Sequence, residues 1–187
     1  MLISDWQRNG TPELRISNDR HYYVKGGYEQ MFHLNPLAER DKDWPRFSLW
    51  GRRIASQDIT GDGLPDIMMT SMGDQLMQIN TGAGFVNAPY SIGTYAQIPF
   101  NGDDGRPSTG WHAEFGDIDN DGRMDLFIAK GNVEEMPSNA MIDPNNLLMQ
   151  KPDGTFAEKA DVAGIDTRAR SRGAGLADLD GDGRLDL

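Results

Sequence analysis

The chain contains no cysteine. That excludes a disulfide scaffold, a zinc–thiolate site, an iron–sulfur cluster and a cysteine nucleophile. It has three histidines, His21, His33 and His112, which share no metal-ligand spacing and stand beside no framed Ser nucleophile. They read as solvated or strand-packed side chains. No run of about 18 apolar residues is present to span a membrane as a helix. The opening Met1-Leu2-Ile3-Ser4-Asp5-Trp6 lacks the basic and long apolar regions of a signal peptide, and helical periodicity is absent at every length. Cations are in deficit, with 18 Lys and Arg against 29 Asp and Glu and a net charge of −11. Nucleic acid is thereby removed from the candidate partners, because phosphate binding needs a cationic face. The 37% of hydrophobic residues in 187 suffices for the core of one domain or of part of a larger one.

The carboxylates are not scattered. Many fall into one frame, D-x-D-x-D-G-x-x-D, with clear copies at Asp117–Asp125 and Asp178–Asp186. A third copy, Asp58–Asp66, has Thr60 in the third place, and a degenerate one runs from Asp5 to Glu13. The starts lie 53, 59 and 61 residues apart, a period that marks an array of supersecondary units. Oxygens at places one, three and five of a tight loop converge on a point, and the ninth-place carboxylate closes the shell. Calcium takes 6 to 8 such oxygens, usually including a backbone carbonyl at place seven. The expected ligand sets are Asp58, Thr60, Asp62, Leu64 and Asp66; Asp117, Asp119, Asp121, Arg123 and Asp125; and Asp178, Asp180, Asp182, Arg184 and Asp186, about three Ca2+ sites. The sixth place is always glycine (Gly63, Gly122, Gly183), as a left-handed turn demands. The alternative is that Asp-Gly pairs merely make turns whose acids accept backbone N–H groups. In the first loop, with Gln7 and Asn9 in the middle, a metal-free turn is the expectation. Its Asn9-Gly10-Thr11 sequon reads as an accident of that turn.

An EF-hand or dockerin loop would need an acid at place twelve, where Met69 and Ile128 stand. The residues after place nine are strand-like and apolar on both faces: Ile67-Met68-Met69-Thr70 and Leu126-Phe127-Ile128-Ala129. Each unit then has two more strands, Gln75–Asn80 with Phe85-Val86, and Asn146–Gln150 with Thr155–Ala157. The first unit fits the same frame if Phe32, 27 residues after Asp5, matches Phe85, 27 after Asp58. Four short antiparallel strands per repeat make the blades of an all-β propeller, here expected at about 1–50, 51–108, 109–170 and a truncated 171–187. A closed ring needs about 4 to 8 blades, so the chain is expected to be a fragment completed by the rest of the propeller.

These loops, the four-strand rhythm and the Asp153-Gly154-Thr155-Phe156 turn resemble FG-GAP/VCBS repeats, the blades of integrin α-subunit-type propellers. From Trp111 onward, Phe115-Gly116-Asp117, Asp125-Leu126-Phe127, Asn145-Asn146-Leu147-Leu148 and Arg172-Gly173-Ala174-Gly175 are similar to ASPIC/UnbV-associated, cartilage-acidic-protein-like proteins. The resemblance implies calcium in the loops, an extracellular, cell-surface or periplasmic setting, and a non-enzymatic role binding a protein or glycan. Two other readings stay open. One is a polysaccharide lyase or hydrolase, for which Tyr90, Tyr95, His112 and Arg106 share one blade-linking region. The other is a purely architectural module of a larger adhesin. By strand parity, the long connections His33–Trp50, Ala88–Gly110 and Gly131–Asn145 gather on the face opposite the calcium hairpins. They carry Trp44, Tyr90, Tyr95, Phe100, Asp103, Asp104 and Arg106, and ligand contact is expected there. Met68, Met69, Met72 and Met77 read as core, and Trp44, Trp50 and Trp111 as inter-blade packing. Arg168, Arg170 and Arg172 either pair with acids of a neighbouring blade or capture a ligand.

Overall fold

The computed structural model describes residues 1–19, 25–35, 38–45, 49, 51–95, 108–132, 140 and 142–187. It is almost entirely β. Three antiparallel four-stranded sheets succeed one another along the chain, each in simple up-and-down order. The first holds β1 (Leu2–Ser4), β2 (Glu13–Ile16), β3 (Gln30–His33) and β4 (Glu39–Arg40). The second holds β5 (Gly51–Gln57), β6 (Asp66–Ser71), β7 (Leu76–Asn80) and β8 (Phe85–Asn87). The third holds β9 (Gly110–Gly116), β10 (Asp125–Lys130), β11 (Asn146–Gln150) and β12 (Phe156–Glu158). These are propeller-type blades, and the three do not close a ring. Beyond them, Ala177 and Asp186 form an isolated antiparallel bridge across the last loop.

The blades stack through the strands that are apolar on both faces. Side chains alternate along a strand, so β6 sends Ile67 and Met69 into a core shared with Trp6, Met31 and Ile54. It sends Met68 the other way, to Met77, Ala113, Leu126, Ile128 and Leu148. Adjacent residues of β5 divide likewise, Ile54 to the first core and Ala55 to the second. The methionines Met68, Met69, Met72 and Met77 are all buried, filling irregular gaps between sheets as flexible side chains do. Trp44 packs on the first core, its ring 6.0 Å from that of Phe85. Trp50 lies outside the described residues.

Three sequence expectations need correction. Phe32 belongs to the third strand of its blade, paired with Leu14, and is no counterpart of Phe85 on a fourth strand. The connection between second and third strands is longer in the first blade, which shifts the frame. The span His33–Trp50 is not one long loop, because it contains β4, whose two exposed residues Glu39 and Arg40 carry no apolar signal. Trp44 accordingly sits in the inter-blade core. Two short helical turns also occur, a 3-10 turn at Tyr90–Ile92 and an α-turn at Ala160–Ala163, each ended by a left-handed glycine, Gly93 or Gly164. Both are too brief to leave a periodic pattern.

Charged side chains are buried within and between the sheets. Lys130 and Asp143 are fully buried and paired at 2.8 Å, and Asp143 also accepts the N–H and hydroxyl of Ser108. In the first core, the buried Arg15 donates to Gln78 at 2.6 Å and lies over the rings of Trp44 and Phe85. Burial lowers Arg15 to about 10, so it stays cationic at neutral pH. Burial raises Glu29 to about 7, against the opposing pull of the Asn18 N–H and Arg15. The folded chain therefore holds a proton on Glu29 that the unfolded chain has already lost, and stability falls as pH rises from about 4.5 to about 7. Glu29→Gln removes this dependence. Its unfolding free energy relative to wild type should rise by up to about 3 kcal/mol between acid and mildly alkaline pH, read from denaturant melts at a series of pH values. Parallel pH profiles would contradict it.

Candidate metal centre

Each repeat loop joins the first two strands of its blade and is built around one aspartate. Asp117 accepts the N–H groups of Asp121 and Gly122, both at 2.9 Å. Asp58 likewise takes those of Gly61 and Gly63, and Asp178 those of Gly181, Asp182 and Gly183. Such closure needs positive φ at places four and six. It is supplied by Gly61, Asn120 and Gly181, and by Gly63, Gly122 and Gly183. The fifth-place acids Asp62, Asp121 and Asp182 bond the N–H groups of Leu64, Arg123 and Arg184. The ninth-place acids reach back to place two, Asp66 to Ile59, Asp125 to Ile118 and Asp186 to Leu179. The turn reading of the frame is thus realised in full.

In two loops the acids also converge. Carboxylate oxygens of Asp117, Asp119 and Asp125 lie within 4.8 Å of one another, as do those of Asp178, Asp180 and Asp186. These are places one, three and nine. The fifth place stays outside both groups, and Asp121 is drawn instead onto the Arg123 guanidinium. Among the described residues Asp58, Asp62 and Asp66 form no such group. There the Thr60 hydroxyl donates to Asp66 at 3.4 Å. In the first loop the turn persists, with Asn9 and Gly10 bonded to Asp5 and Arg8 forced to φ 51° at place four. Its ninth-place Glu13 turns to His33 at 2.8 Å, and the Asn9 side chain is held by Gln7 and Thr11.

The convergent groups fit a hard cation. Every side-chain donor is oxygen, with no imidazole or thiolate, which suits calcium and disfavours zinc. Burial raises the Asp125 carboxyl above its ordinary range, and the nearby Asp119 and Asp121 charges add to the effect against the N–H groups of Gln150 and Ile118. Asp119 itself accepts no hydrogen bond among the described residues, so its oxygens remain for a cation.

Elsewhere, the structure engages residues whose roles the sequence left open. Arg172 pairs with no acid among the described residues. It donates to the carbonyls of Gly131, Ser171 and Asn132 and lies 4.5 Å over the Trp111 ring, which Arg52 covers at 4.7 Å. Tyr95 donates to the Ala88 carbonyl, and His112 is bonded to Glu114. Arg106, Phe100, Asp103, Asp104 and His21 lie outside the described residues.

Sequence reasoning missed an amide that ends two of the third strands. Asn80 and Gln150 give their N–H groups to Asp66 and Asp125, both at 2.8 Å. Their side-chain amides reach the place-two carbonyls of the preceding blade's loop, Trp6 at 2.7 Å and Ile59 at 3.0 Å. The one signal was an amide residue closing each run.

Up-and-down blades whose first two strands are joined by an acidic hairpin define a class of repeat. Residues 58–128 match the family model of the FG-GAP-like repeat, so this stretch carries FG-GAP repeat sequence. No curated protein matches the chain significantly.

Asp119→Ala and Asp117→Ala should separate metal from turn. Asp119→Ala removes a candidate cation ligand but no turn hydrogen bond, so stability in chelator should stay within about 0.5 kcal/mol of wild type while any calcium-dependent gain of the loop is lost. Asp117→Ala, deprived of two N–H acceptor contacts, should lose roughly 1–2 kcal/mol even in chelator. Thermal melts with calcium and with chelator read both. Equal calcium shifts in wild type and Asp119→Ala would leave the loop a turn only.

Proposed function

We propose that the chain is a calcium-stabilised, non-enzymatic repeat module of an extracytoplasmic protein that holds a protein or glycan partner. The observation that carries this reading is the convergence of three carboxylates at equivalent places in two successive loops. Such clustering in an acidic chain opposes folding, and bound calcium offsets it. Extracellular modules of this ligand type bind at about 10⁻⁴ to 10⁻³ M, concentrations of calcium met outside the cytoplasm. The FG-GAP-like match supports both the repeat role and the setting. No described helix is long and apolar enough to cross a membrane. Closing a propeller ring would need blades beyond the three sheets described. Against a lyase stands the engagement of Tyr95 and His112 with groups other than each other.

The partner face is the one opposite the hairpins. The 3-10 turn after β8 offers one candidate contact, with Tyr90 76% exposed and its ring tilted against that of Tyr95 at 5.0 Å, an amphipathic pair of the kind enriched at interfaces. Calorimetric titration should show two or three calcium sites near 10⁻⁴ to 10⁻³ M, with magnesium weaker and zinc not stoichiometric. Stoichiometric zinc, or no calcium heat at millimolar concentrations, would overturn the assignment. On a glycan and protein-ligand screen of the same chain, Tyr90→Ala should weaken whatever binds at this aromatic pair while leaving calcium affinity unchanged.

A further inference from the structure

The two loops with converging carboxylates touch each other. The Asn120 side-chain amide, in the Asp117–Asp125 hairpin, donates to the Gly183 carbonyl of the Asp178–Asp186 hairpin at 2.9 Å. Apolar packing joins the same two hairpins. Leu176 and Leu185 press on Gly116 so closely that a Cβ there would stand 3.1 Å and 2.7 Å from their Cδ1 atoms. Gly116 immediately precedes Asp117, the acid around which its hairpin is built.

Place four singles out Asn120. The backbone has positive φ there in every repeat loop, and glycine supplies it in two, Gly61 at 75° and Gly181 at 79°. Asn120 stands at 57°, in a region that strains residues with a Cβ and that asparagine tolerates better than most. Its side chain does what glycine cannot, and reaches the next hairpin. A similar relation occurs one boundary earlier. Arg8, at place four of the first loop, sets its Nη1 3.6 Å from where a Cβ of Gly63 would stand. In both cases a place-four side chain meets the place-six glycine of the following loop.

The Asn120–Gly183 bond acts on candidate ligands at both ends. Asn120 follows Asp119, so a cation that draws in Asp119 also fixes the amide. The Gly183 carbonyl shares one planar peptide with the Arg184 N–H, and that N–H holds Asp182 at 2.9 Å. Ordering one hairpin therefore removes freedom that the other would otherwise lose on binding, which is the condition for positive coupling. We propose that Asn120 couples the two metal loops, so that calcium in Asp117–Asp125 strengthens calcium binding in Asp178–Asp186, and reciprocally. The inference rests on calcium binding in both loops, as proposed above. Charge alone acts in the opposite sense, because a dication in one loop repels a dication in the next.

The test is a calcium titration of the full chain followed by amide NMR in about 0.15 M salt, where exposed charges are screened beyond about 8 Å. Gly122 reports the first of the two loops and Gly183 the second, their N–H groups being bonded to Asp117 and Asp178. Asp119→Ala should abolish the calcium response of Gly122 and weaken binding reported by Gly183 about fivefold. Asn120→Gly keeps the positive φ, as Gly61 and Gly181 show, and deletes the donor. In that background Asp119→Ala should have no further effect at Gly183, a non-additivity that a merely structural bond would not produce. Unchanged or tighter binding at Gly183 in Asp119→Ala would overturn the coupling. An equal fivefold loss with and without the Asn120 amide would overturn the role of Asn120. Two independent calcium responses would sink this inference alone, whereas no calcium response at either glycine would sink the calcium reading with it.

Discussion

Two buried carboxylates organise the second and third blades. Asp66 and Asp125, 0% and 1% exposed, each begin the second strand of a sheet. Each gives one oxygen to the N–H at place two of its own hairpin and the other to the N–H that ends the third strand. Hairpin, second strand and third strand are thereby fixed to a single side chain. Asn80 and Gln150 extend the tie across the blade boundary through their side-chain amides. Burying a carboxylate is costly unless it is fully bonded or faces a cation, and burial raises both acids above the ordinary range. The hydrogen bonds answer part of that cost. A cation shared with Asp117 and Asp119 would answer the rest for Asp125.

The same register fixes the core. Once place nine starts the second strand, alternation sends its next residues to opposite sides, so β6 and β10 are buried along their whole length. β6 serves two inter-blade cores at once, and β10 sends Leu126 and Ile128 into the second of them. That explains why these strands read as unbroken apolar runs and why the blades stack without helices between them.

Much of this was legible in the chain. The acidic frame located three hairpins, the glycines at place six announced the turn, and double-faced apolar runs gave the buried strands. The features that stayed hidden have physical causes. The strand β4 is two exposed residues, Glu39 and Arg40, with no hydrophobic alternation. The first blade's longer second connection displaced Phe32 from its supposed counterpart. Asp121 looked equivalent to Asp119 by spacing, but a neighbouring guanidinium two residues on competes for it. The Asn120–Gly183 bond joins two hairpins that meet only when neighbouring units pack.

The ninth-place carboxylate holds the hairpin to the blade, and a cation is proposed to tighten this hold. Native-state hydrogen exchange at the amides of Ile118, Gly122 and Gln150 tests both halves of that claim most directly. All three amides should be protected in chelator, because Asp117 and Asp125 accept them, and should exchange more slowly again when calcium is added. Exchange at the rate of open loop amides in both conditions, or the same protection with and without calcium, would contradict it.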